Sequence, residues 1–322
     1  MELGVCELEL IPGMKNTNAD MTSNYRSGYV ALIGEPNVGK STLLNALLGQ
    51  KLSIVTPKPQ TTRHKIAGIL TGENYQVVFL DTPGLIKPKY ALQEVMMSFA
   101  GAAVDEADIV IFLADASDRG AASSIKSAIS ISGIDRLKEK KPLFMVINKI
   151  DLLKKSEVLP LIVAFNEIHQ FDEIIPISAL KGENLDDLKK TIVKYLPEGN
   201  AFYPEDYASD RDERFFVSEL VREEIFKVYK EEVPYSTTVE IEEFRESDTE
   251  RKTFIRAIIY VERDSQKGIL IGKKGAALKQ IGQNARKQIE ELIGHEVFLE
   301  LFVKIEKEWR DDKGKIKRLG YR

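Results

Sequence analysis

Short apolar runs alternate with longer amphipathic stretches from Gly28 onward, an alternation typical of a sheet whose faces are covered by helices. The runs are rich in valine, isoleucine, leucine and phenylalanine, as buried strands are. They predict strands at residues 29–34, 65–70, 76–81, 108–115, 142–148 and 174–178. We therefore predict an α/β domain over residues 28–197, with a mostly parallel six-stranded sheet and helices on both faces.

A second, smaller domain follows residues 198–209, where proline and glycine predict a linker. Apolar positions at helical or alternating spacing then predict a helix (211–232), two strands (238–244 and 253–261), a short apolar step (269–271), a long helix (277–292) and a last strand (297–305). This order of helix, strand, strand, helix, helix and strand predicts an α+β domain over residues 210–309.

The two ends of the chain look different from these domains. Residues 1–27 form a polar extension that we expect to be disordered, and residues 310–322 form a basic tail with no predicted role beyond basic contacts. The lone cysteine, Cys6, has no internal disulfide partner, which favours a reducing compartment. No apolar run approaches the roughly 18 residues of a membrane-spanning helix. The acidic start is also unlike a secretory signal. These features predict a cytoplasmic protein.

Charge is distributed unevenly along the chain. With 43% hydrophobic and 30% charged residues, the composition is that of a globular protein, and the net charge is −4. Acidic residues greatly outnumber basic ones at residues 198–250, whereas the reverse holds at residues 251–287. A solvated face is the ordinary explanation of such a run, and a patch that binds nucleic acid is the alternative.

The first predicted strand runs into a glycine-containing loop that matches the phosphate-loop pattern of nucleotide-binding proteins. The loop consists of Gly34, Glu35, Pro36, Asn37, Val38, Gly39, Lys40 and Ser41, and Thr42 lies in the helix that follows. Backbone N–H groups of such a loop surround a phosphate, Lys40 adds positive charge, and the Ser41 hydroxyl ligates Mg²⁺. A chance glycine turn is the alternative, which the strand before the loop and the helix after it disfavour.

Three further polar segments follow strands of the same sheet, and the carboxyl ends of parallel strands meet at one edge. They comprise Asp81, Thr82, Pro83 and Gly84 after the third strand, Asn148, Lys149 and Asp151 after the fifth, and Ser178, Ala179 and Leu180 after the sixth. Asp81 can hold a metal ion through water, and the Gly84 N–H can contact a γ-phosphate. The Asp151 carboxylate can accept from both the ring N–H and the exocyclic amine of guanine, a donor pair that adenine lacks. Alone, the segment from Asp81 to Gly84 is also an ordinary turn.

In this order the four motifs resemble those of the translation-factor-related GTPases, over residues 28–196. The resemblance implies a P-loop GTPase domain that binds GTP or GDP with Mg²⁺ and hydrolyses GTP. It also implies that Lys40, Thr62 and Gly84 act in catalysis. Thr62, in a mobile switch at residues 60–64, would join Ser41 and water-linked Asp81 around Mg²⁺. Without the resemblance, residues 60–64 are only a polar loop.

Leu85 stands where signalling GTPases carry the glutamine that orients the attacking water. A leucine cannot polarise water, so we expect slow intrinsic hydrolysis. The resemblance to the GTPase subgroup that shares this replacement implies that Asn37 holds a catalytic monovalent cation, K⁺. The alternative role of the Asn37 side chain is a hydrogen bond that stabilises the loop. The missing glutamine also leaves open an RNA-binding module in which GTP is a sensing ligand with negligible turnover.

A GXXG loop lies between the short apolar step and the long helix of the second domain. It consists of Ile271, Gly272, Lys273, Lys274 and Gly275. A glycine turn lets a single-stranded nucleic-acid backbone pass close by while the lysines attract phosphate. A plain helical corner with solvated lysines is the alternative, which the basic tract and the element order disfavour. The order resembles a type II KH domain. For Phe298 and Phe302, on its last strand, we expect packing between strands rather than stacking on bases.

A GTPase domain followed by a type II KH domain resembles the Era family of ribosome-assembly GTPases, from Gly28 to the C-terminus. The resemblance implies binding of single-stranded 16S ribosomal RNA near its 3′ end and a nucleotide-controlled role in 30S subunit assembly and rRNA maturation. It also implies peripheral association with the inner face of the cell membrane, and we expect a monomer. The tRNA-modifying GTPases with a one-carbon-binding domain are disfavoured, because the GTPase unit starts early and no C-terminal cysteine exists.

Overall fold

The computed structural model describes residues 25–118, 141–246 and 252–321. Residues 1–24 of the predicted extension (1–27) lie outside them, whereas Arg26 and Ser27 belong to the first strand and correct that prediction. The sheet of the first domain has the order β2-β3-β1-β4-β5-β6. Its strands are β1 (Arg26–Gly34), β2 (Ile66–Gly72), β3 (Tyr75–Asp81), β4 (Ile109–Asp115), β5 (Leu143–Asn148) and β6 (Glu173–Pro176). Only β2 runs antiparallel to its neighbour among these strands. The predicted six-stranded, mostly parallel sheet is confirmed.

Helices cover both faces of this sheet, because both faces of its strands are apolar. The helices are α1 (Lys40–Leu48), α2 (Ala91–Glu106), α3 (Lys155–Asn166) and α4 (Leu185–Tyr195). Leu43 of α1 and Ile192 of α4 are buried in one layer, and Ala100 of α2 and Phe165 of α3 are buried in the other. Among the described residues, no helix is both long enough and apolar enough to cross a membrane.

The second domain has the predicted order of helix, strand, strand, helix, helix and strand. Its elements are α5 (Glu213–Val228), β7 (Thr238–Glu246), β8 (Lys252–Val261), α6 (Asp264–Ile271), α7 (Ala276–Ile293) and β9 (Glu296–Ile305). β8 is central, antiparallel to β7 and parallel to β9. Helices α5 and α7 pack on one sheet face through Val221, Ile225, Ile281 and Ile289. The predicted apolar step at 269–271 is the last turn of α6.

The predicted linker at residues 198–209 is fixed to the first domain. The Gln76 side chain, fully buried on β3, accepts from the backbone N–H groups of Phe202 (2.7 Å) and Tyr203 (3.0 Å) and donates to the Tyr203 carbonyl (2.8 Å). Farther along, the Ile69 N–H donates to the Ala208 carbonyl at 2.9 Å. The connection therefore runs along the sheet and fixes where the second domain begins.

The last residues differ from the predicted basic tail. After a buried Trp309 they form a short helix, α8 (Lys313–Arg318), and Ile316 and Tyr321 are buried with it. They share one apolar cluster with Leu92 of α2 in the first domain and with Tyr260 of β8 in the second. The basic residues of this segment lie between apolar positions, and the segment packs across the domain boundary.

Candidate nucleotide site and nucleic-acid interface

The phosphate loop joins β1 to α1, and two of its glycines have a backbone that only glycine adopts readily. Gly39 has φ of 100°, and a Cβ there would lie 2.3 Å from Nδ2 of Asn148. Gly34 has φ of 146°, and a Cβ there would lie 2.4 Å from the Leu113 carbonyl oxygen. The loop is therefore closely packed against the strands beneath it.

Lys40 begins α1 and is buried beside the loop. Its Nζ donates to the carbonyl oxygens of Gly34 (3.0 Å) and Glu35 (2.9 Å). Burial lowers the pKa of Lys40 to about 8, although Asp81 and Glu35 oppose that shift. An ammonium held here with few polar partners, at the positive end of a helix, favours an anionic ligand such as phosphate.

Three oxygen atoms meet next to Lys40. Ser41 Oγ donates to Asp81 Oδ2 at 2.7 Å and lies 2.8 Å from Thr62 Oγ1. Asp81 is completely buried, its Oδ1 has no hydrogen-bond partner among the described residues, and burial raises the pKa of its carboxyl group. A buried, partly unsatisfied carboxylate with two hydroxyl groups is a donor set that suits a hard cation such as Mg²⁺. The residues predicted for the metal are thus brought together.

The segment after β3 lies against the phosphate loop. Thr82 Oγ1 donates to the Leu32 carbonyl at 2.7 Å, and the Leu85 N–H donates to the Gly34 carbonyl at 2.9 Å. A Cβ at Gly84 would lie 2.7 Å from the backbone nitrogen of Pro36. These loops and residues 54–62 line a cavity of about 470 Å³, in which Lys40, Ser41, Thr62 and Gly84 meet. We call residues 51–64, which contain the predicted switch at residues 60–64, the switch segment.

The loops predicted to recognise the base are tied together by Asn148. Its Nδ2 donates to the Val38 carbonyl at 2.8 Å, and its Oδ1 accepts from the Ala179 N–H at 2.9 Å. Asp151 Oδ1 accepts from Ser178 Oγ at 2.6 Å. Asn148 thus joins the phosphate loop to the loop after β6, and Ser178 of that second loop holds Asp151 beside it.

Two residues at the carboxyl ends of the strands add to what the sequence predicts. Asp115 lies at the end of β4, outside the four predicted motifs, and its Oδ2 lies 2.5 Å from Lys149 Nζ. A carboxylate at the carboxyl end of a central strand was the signal that could have found it. Leu180, predicted to bind the nucleotide, is 75% exposed, and its side chain lies outside the apolar clusters of the described residues.

Leu85 and Asn37 occupy the positions that bear on catalysis. Leu85 is 5% exposed and belongs to the core beneath α2, so its side chain lies away from solvent. Asn37 has a φ of 63° and its Nδ2 donates to the Pro57 carbonyl at 3.1 Å. That bond is the loop-stabilising contact that we weighed against a K⁺ site, and it links the phosphate loop to the switch segment.

The GXXG loop caps the N-terminus of α7. Gly272 has φ of 70°, a Cβ there would lie 2.7 Å from Cβ of Ala277, and Lys274 adopts a left-handed conformation with φ of 52°. Lys273 and Lys274 are exposed. Beside them Ile269 is 46% exposed on α6. The turn therefore presents two ammonium groups and an apolar side chain at the start of an eighteen-residue helix.

Phe298 and Phe302 lie on the more exposed face of β9, and Phe298 lines a cavity together with Gly275 of the GXXG loop. They are 58% and 48% exposed. The Phe298 ring stacks on Phe254 of β8 with centroids 5.7 Å apart, and the Arg256 guanidinium lies over the Phe302 ring. The contact between strands that we favoured is therefore present, at a solvent-facing position.

Comparison with known proteins supports both halves of this arrangement. A sequence model of a family described as 50S ribosome-binding GTPase matches residues 29–149, and a KH domain model matches residues 232–310. GTPase Era of Geobacter metallireducens is 45% identical over 297 residues, covering 92% of this chain and 98% of that protein. The chain belongs to the Era family of GTPases. GTPase Era of Lactobacillus delbrueckii is likewise 45% identical, over 301 residues, with 93% and 97% covered.

Solved Era structures have the same fold as this Era-family GTPase. Era in complex with MgGDPNP and nucleotides 1506–1542 of 16S ribosomal RNA is 44% identical, with a TM-score of 0.88. A variant of Aquifex aeolicus Era bound to GDP·AlF4⁻ is 43% identical, with a TM-score of 0.87. Each covers 92% of this chain and 99% of the solved one. The predicted pair of a P-loop GTPase domain and a KH domain is confirmed.

Proposed function

We propose that this GTPase is a nucleotide-controlled switch that binds single-stranded 16S ribosomal RNA near its 3′ end during assembly of the 30S subunit. The observation that carries the proposal is the likeness, over 92% of the chain, to Era solved with MgGDPNP and nucleotides 1506–1542 of that RNA. The exposed lysines of the GXXG loop and the oxygen cluster beside Lys40 supply, in one chain, the groups that two such ligands need.

The nucleotide would bind along the edge formed by the phosphate loop and the loops after β3, β5 and β6. Backbone N–H groups and Lys40 hold its phosphates, and the Gly84 N–H lies next to the γ-phosphate. Asp151 accepts from guanine, and the Ala179 N–H lies beside it. Ser41, Thr62 and, through water, Asp81 fit Mg²⁺. Mg²⁺ held by these residues would supply positive charge that complements the negative charge of the phosphates during phosphoryl transfer to water.

Intrinsic turnover is expected to be slow, since the buried Leu85 offers nothing that orients the attacking water. The chain's own contribution is to position the phosphates and to complement their charge, which needs no nucleophilic side chain. We retain Asn37 as a K⁺ ligand in this proposal. Its side chain is already anchored by the Pro57 carbonyl, and its oxygen atom remains available to a cation.

The RNA would pass the GXXG loop, where a backbone without bulky side chains allows close approach. Lys273 and Lys274 attract its phosphates, and the N-terminus of α7 adds the positive end of a helix dipole. The exposed Ile269 provides an apolar contact for a base. Single-stranded RNA fits this turn better than a duplex does, because its bases are free to leave the stack.

Single-turnover GTP hydrolysis tests the proposal. We would measure it in K⁺ and in Na⁺ buffers, with and without a short RNA that copies the 3′ end of 16S ribosomal RNA. Faster hydrolysis with RNA supports an RNA-coupled GTPase, and faster hydrolysis in K⁺ supports the role of Asn37. Tight binding of both ligands with no hydrolysis in any buffer would instead favour the module in which GTP is only sensed. The monomeric state, the cytoplasmic location and the peripheral membrane association stay predictions.

A further inference from the structure

Two buried arginines cross the boundary between the domains on either side of Thr62. Arg63 Nη1 donates to the Thr237 carbonyl at 2.7 Å, and its Nη2 donates to the Pro234 and Tyr235 carbonyls at 2.9 and 3.0 Å. From the opposite side, Arg222 Nη2 on α5 donates to the Thr61 carbonyl at 2.5 Å. The residues before and after Thr62 are thus each fixed to the KH domain.

Other residues of the switch segment are attached to the same helix. Lys58 Nζ donates to the carbonyl oxygens of Phe226 and Tyr229 at the C-terminal end of α5. The Val55 N–H donates to Glu223 Oε1 at 3.1 Å. The two Lys58 bonds satisfy carbonyl groups that the end of a helix leaves without partners. The switch segment therefore lies along the C-terminal half of α5.

The charges in this contact make partial opening costly. Arg63 and Arg222 are 2% and 1% exposed, and Arg222 forms an ion pair with the buried Glu219. A buried guanidinium needs its hydrogen bonds filled. If residues 61–63 left the KH domain, Arg222 would lose the Thr61 carbonyl and the carbonyls of residues 234, 235 and 237 would lose their donor.

From this geometry we propose that Arg63 and Arg222 are positioning residues for GTP hydrolysis: with the KH domain they hold Thr62 beside Ser41. The inference rests on the proposed function, in which Thr62 meets the Mg²⁺ of the bound nucleotide. Neither arginine touches the nucleotide cavity, and both act through the backbone next to Thr62. The KH domain thereby contributes in cis to the GTPase site. By linkage, RNA that favours this placement of α5 must also favour the placement of Thr62 beside Ser41.

Two variants of the full chain test the inference. Arg63→Met removes the donor to three carbonyls and keeps an unbranched side chain. The double variant Glu219→Gln/Arg222→Met removes the guanidinium without leaving a buried carboxylate unpaired. In Mg²⁺, each should lower the single-turnover rate and the preference for GMPPNP over GDP by about 10- to 100-fold, the usual cost of losing a residue that orients a metal ligand. GDP affinity should stay at the wild-type value, because Thr62 is expected to join Mg²⁺ only when GTP or its analogue is bound.

Matched controls separate positioning from folding. Lys65→Gln removes an ion pair with Glu106 (2.6 Å) inside the GTPase domain, close to Thr62 in sequence. Arg214→Gln changes an exposed arginine of α5 that contacts the Phe244 carbonyl of its own domain. Both should keep the rate and the GMPPNP preference within about twofold of wild type. Hydrogen exchange of the amides of residues 61–64 with GMPPNP bound should be faster in the two test variants alone.

The outcomes point in different directions. Test variants that melt at a lower temperature but keep the wild-type rate and GMPPNP preference would show that the arginines only hold the domains together, and would overturn the inference. A wild-type chain that hydrolyses no GTP would overturn the proposed function itself and the role of Thr62 with it. Loss of rate and of GMPPNP preference, with GDP affinity retained, supports the inference.

Discussion

Replacing Trp309, the last residue of the predicted second domain, by alanine should destabilise the protein strongly, because Trp309 packs against residues of the 310–322 segment, which looks like a basic tail in the sequence. Trp309 is 0% exposed, its Nε1 donates to the Ser236 carbonyl at 2.9 Å, and its ring lies 5.9 Å from that of Tyr321. Deleting a buried tryptophan costs about 4 kcal/mol. The unpaired Ser236 carbonyl adds about 1 kcal/mol. We therefore expect a loss of about 5 kcal/mol for Trp309→Ala and about 1 to 2 kcal/mol for Trp309→Phe, which keeps most of the ring.

Urea unfolding of the full chain, followed by far-UV circular dichroism, measures this loss. The lone tryptophan of the wild-type chain also allows its unfolding to be followed by fluorescence, so the two signals can be compared. Leu159→Ala is the control, because Leu159 is 67% exposed on α3 and should change stability by less than about 0.5 kcal/mol. A loss below about 1 kcal/mol for Trp309→Ala would refute the conclusion that the last residues are part of the core between the domains.

Other predictions concern the two ligand sites. Asp151→Asn should lower the preference for guanine over adenine nucleotides by about 3 kcal/mol, or roughly 100-fold, in a competition assay, and an unchanged preference would contradict the assigned base contact. Gly39→Ala should weaken GDP binding at least tenfold in a fluorescent-nucleotide titration, because its Cβ would lie 2.3 Å from an amide nitrogen and its φ is 100°. Burial lowers the pKa of Lys40 to about 8. A bound phosphate should raise that pKa again, so GDP binding takes up protons and GDP affinity should fall as pH rises through 8. Calorimetry at several pH values measures both effects. The absence of both proton uptake and a pH dependence would contradict this prediction. The double variant Lys273→Asp/Lys274→Asp should weaken RNA binding, reduce its salt dependence by about two charges and leave GDP affinity unchanged.

The nucleotide motifs could be predicted because their chemistry is local. A phosphate loop needs glycines at fixed offsets between a strand and a helix, and both neighbours are visible as periodic apolar patterns. Gly34 and Gly39 therefore stand where their positive φ values require them. The meeting of Ser41 and Asp81 also followed from the rule that strands of a parallel sheet end at one edge.

Contacts between distant segments could not be predicted in this way. Periodicity shows that a face is apolar, but it does not show which surface covers it, so residues 310–322 look like a basic tail in the sequence although Tyr321 is buried against Trp309. Arg63 belongs to a polar loop in sequence, and its three carbonyl partners lie more than 170 residues away. Asn148 was expected to touch the nucleotide, and its tie to the Val38 carbonyl depends on how two loops meet in space.

The central claim is that the nucleotide state of the GTPase domain controls RNA binding by the KH domain. The most direct test is the affinity of the full chain for a fluorescent RNA that copies the 3′ end of 16S ribosomal RNA, measured with GMPPNP and with GDP in Mg²⁺. We predict binding at least about tenfold tighter with GMPPNP, a coupling of about 1.4 kcal/mol. Equal affinities in the two states, with both nucleotides bound, would contradict the account.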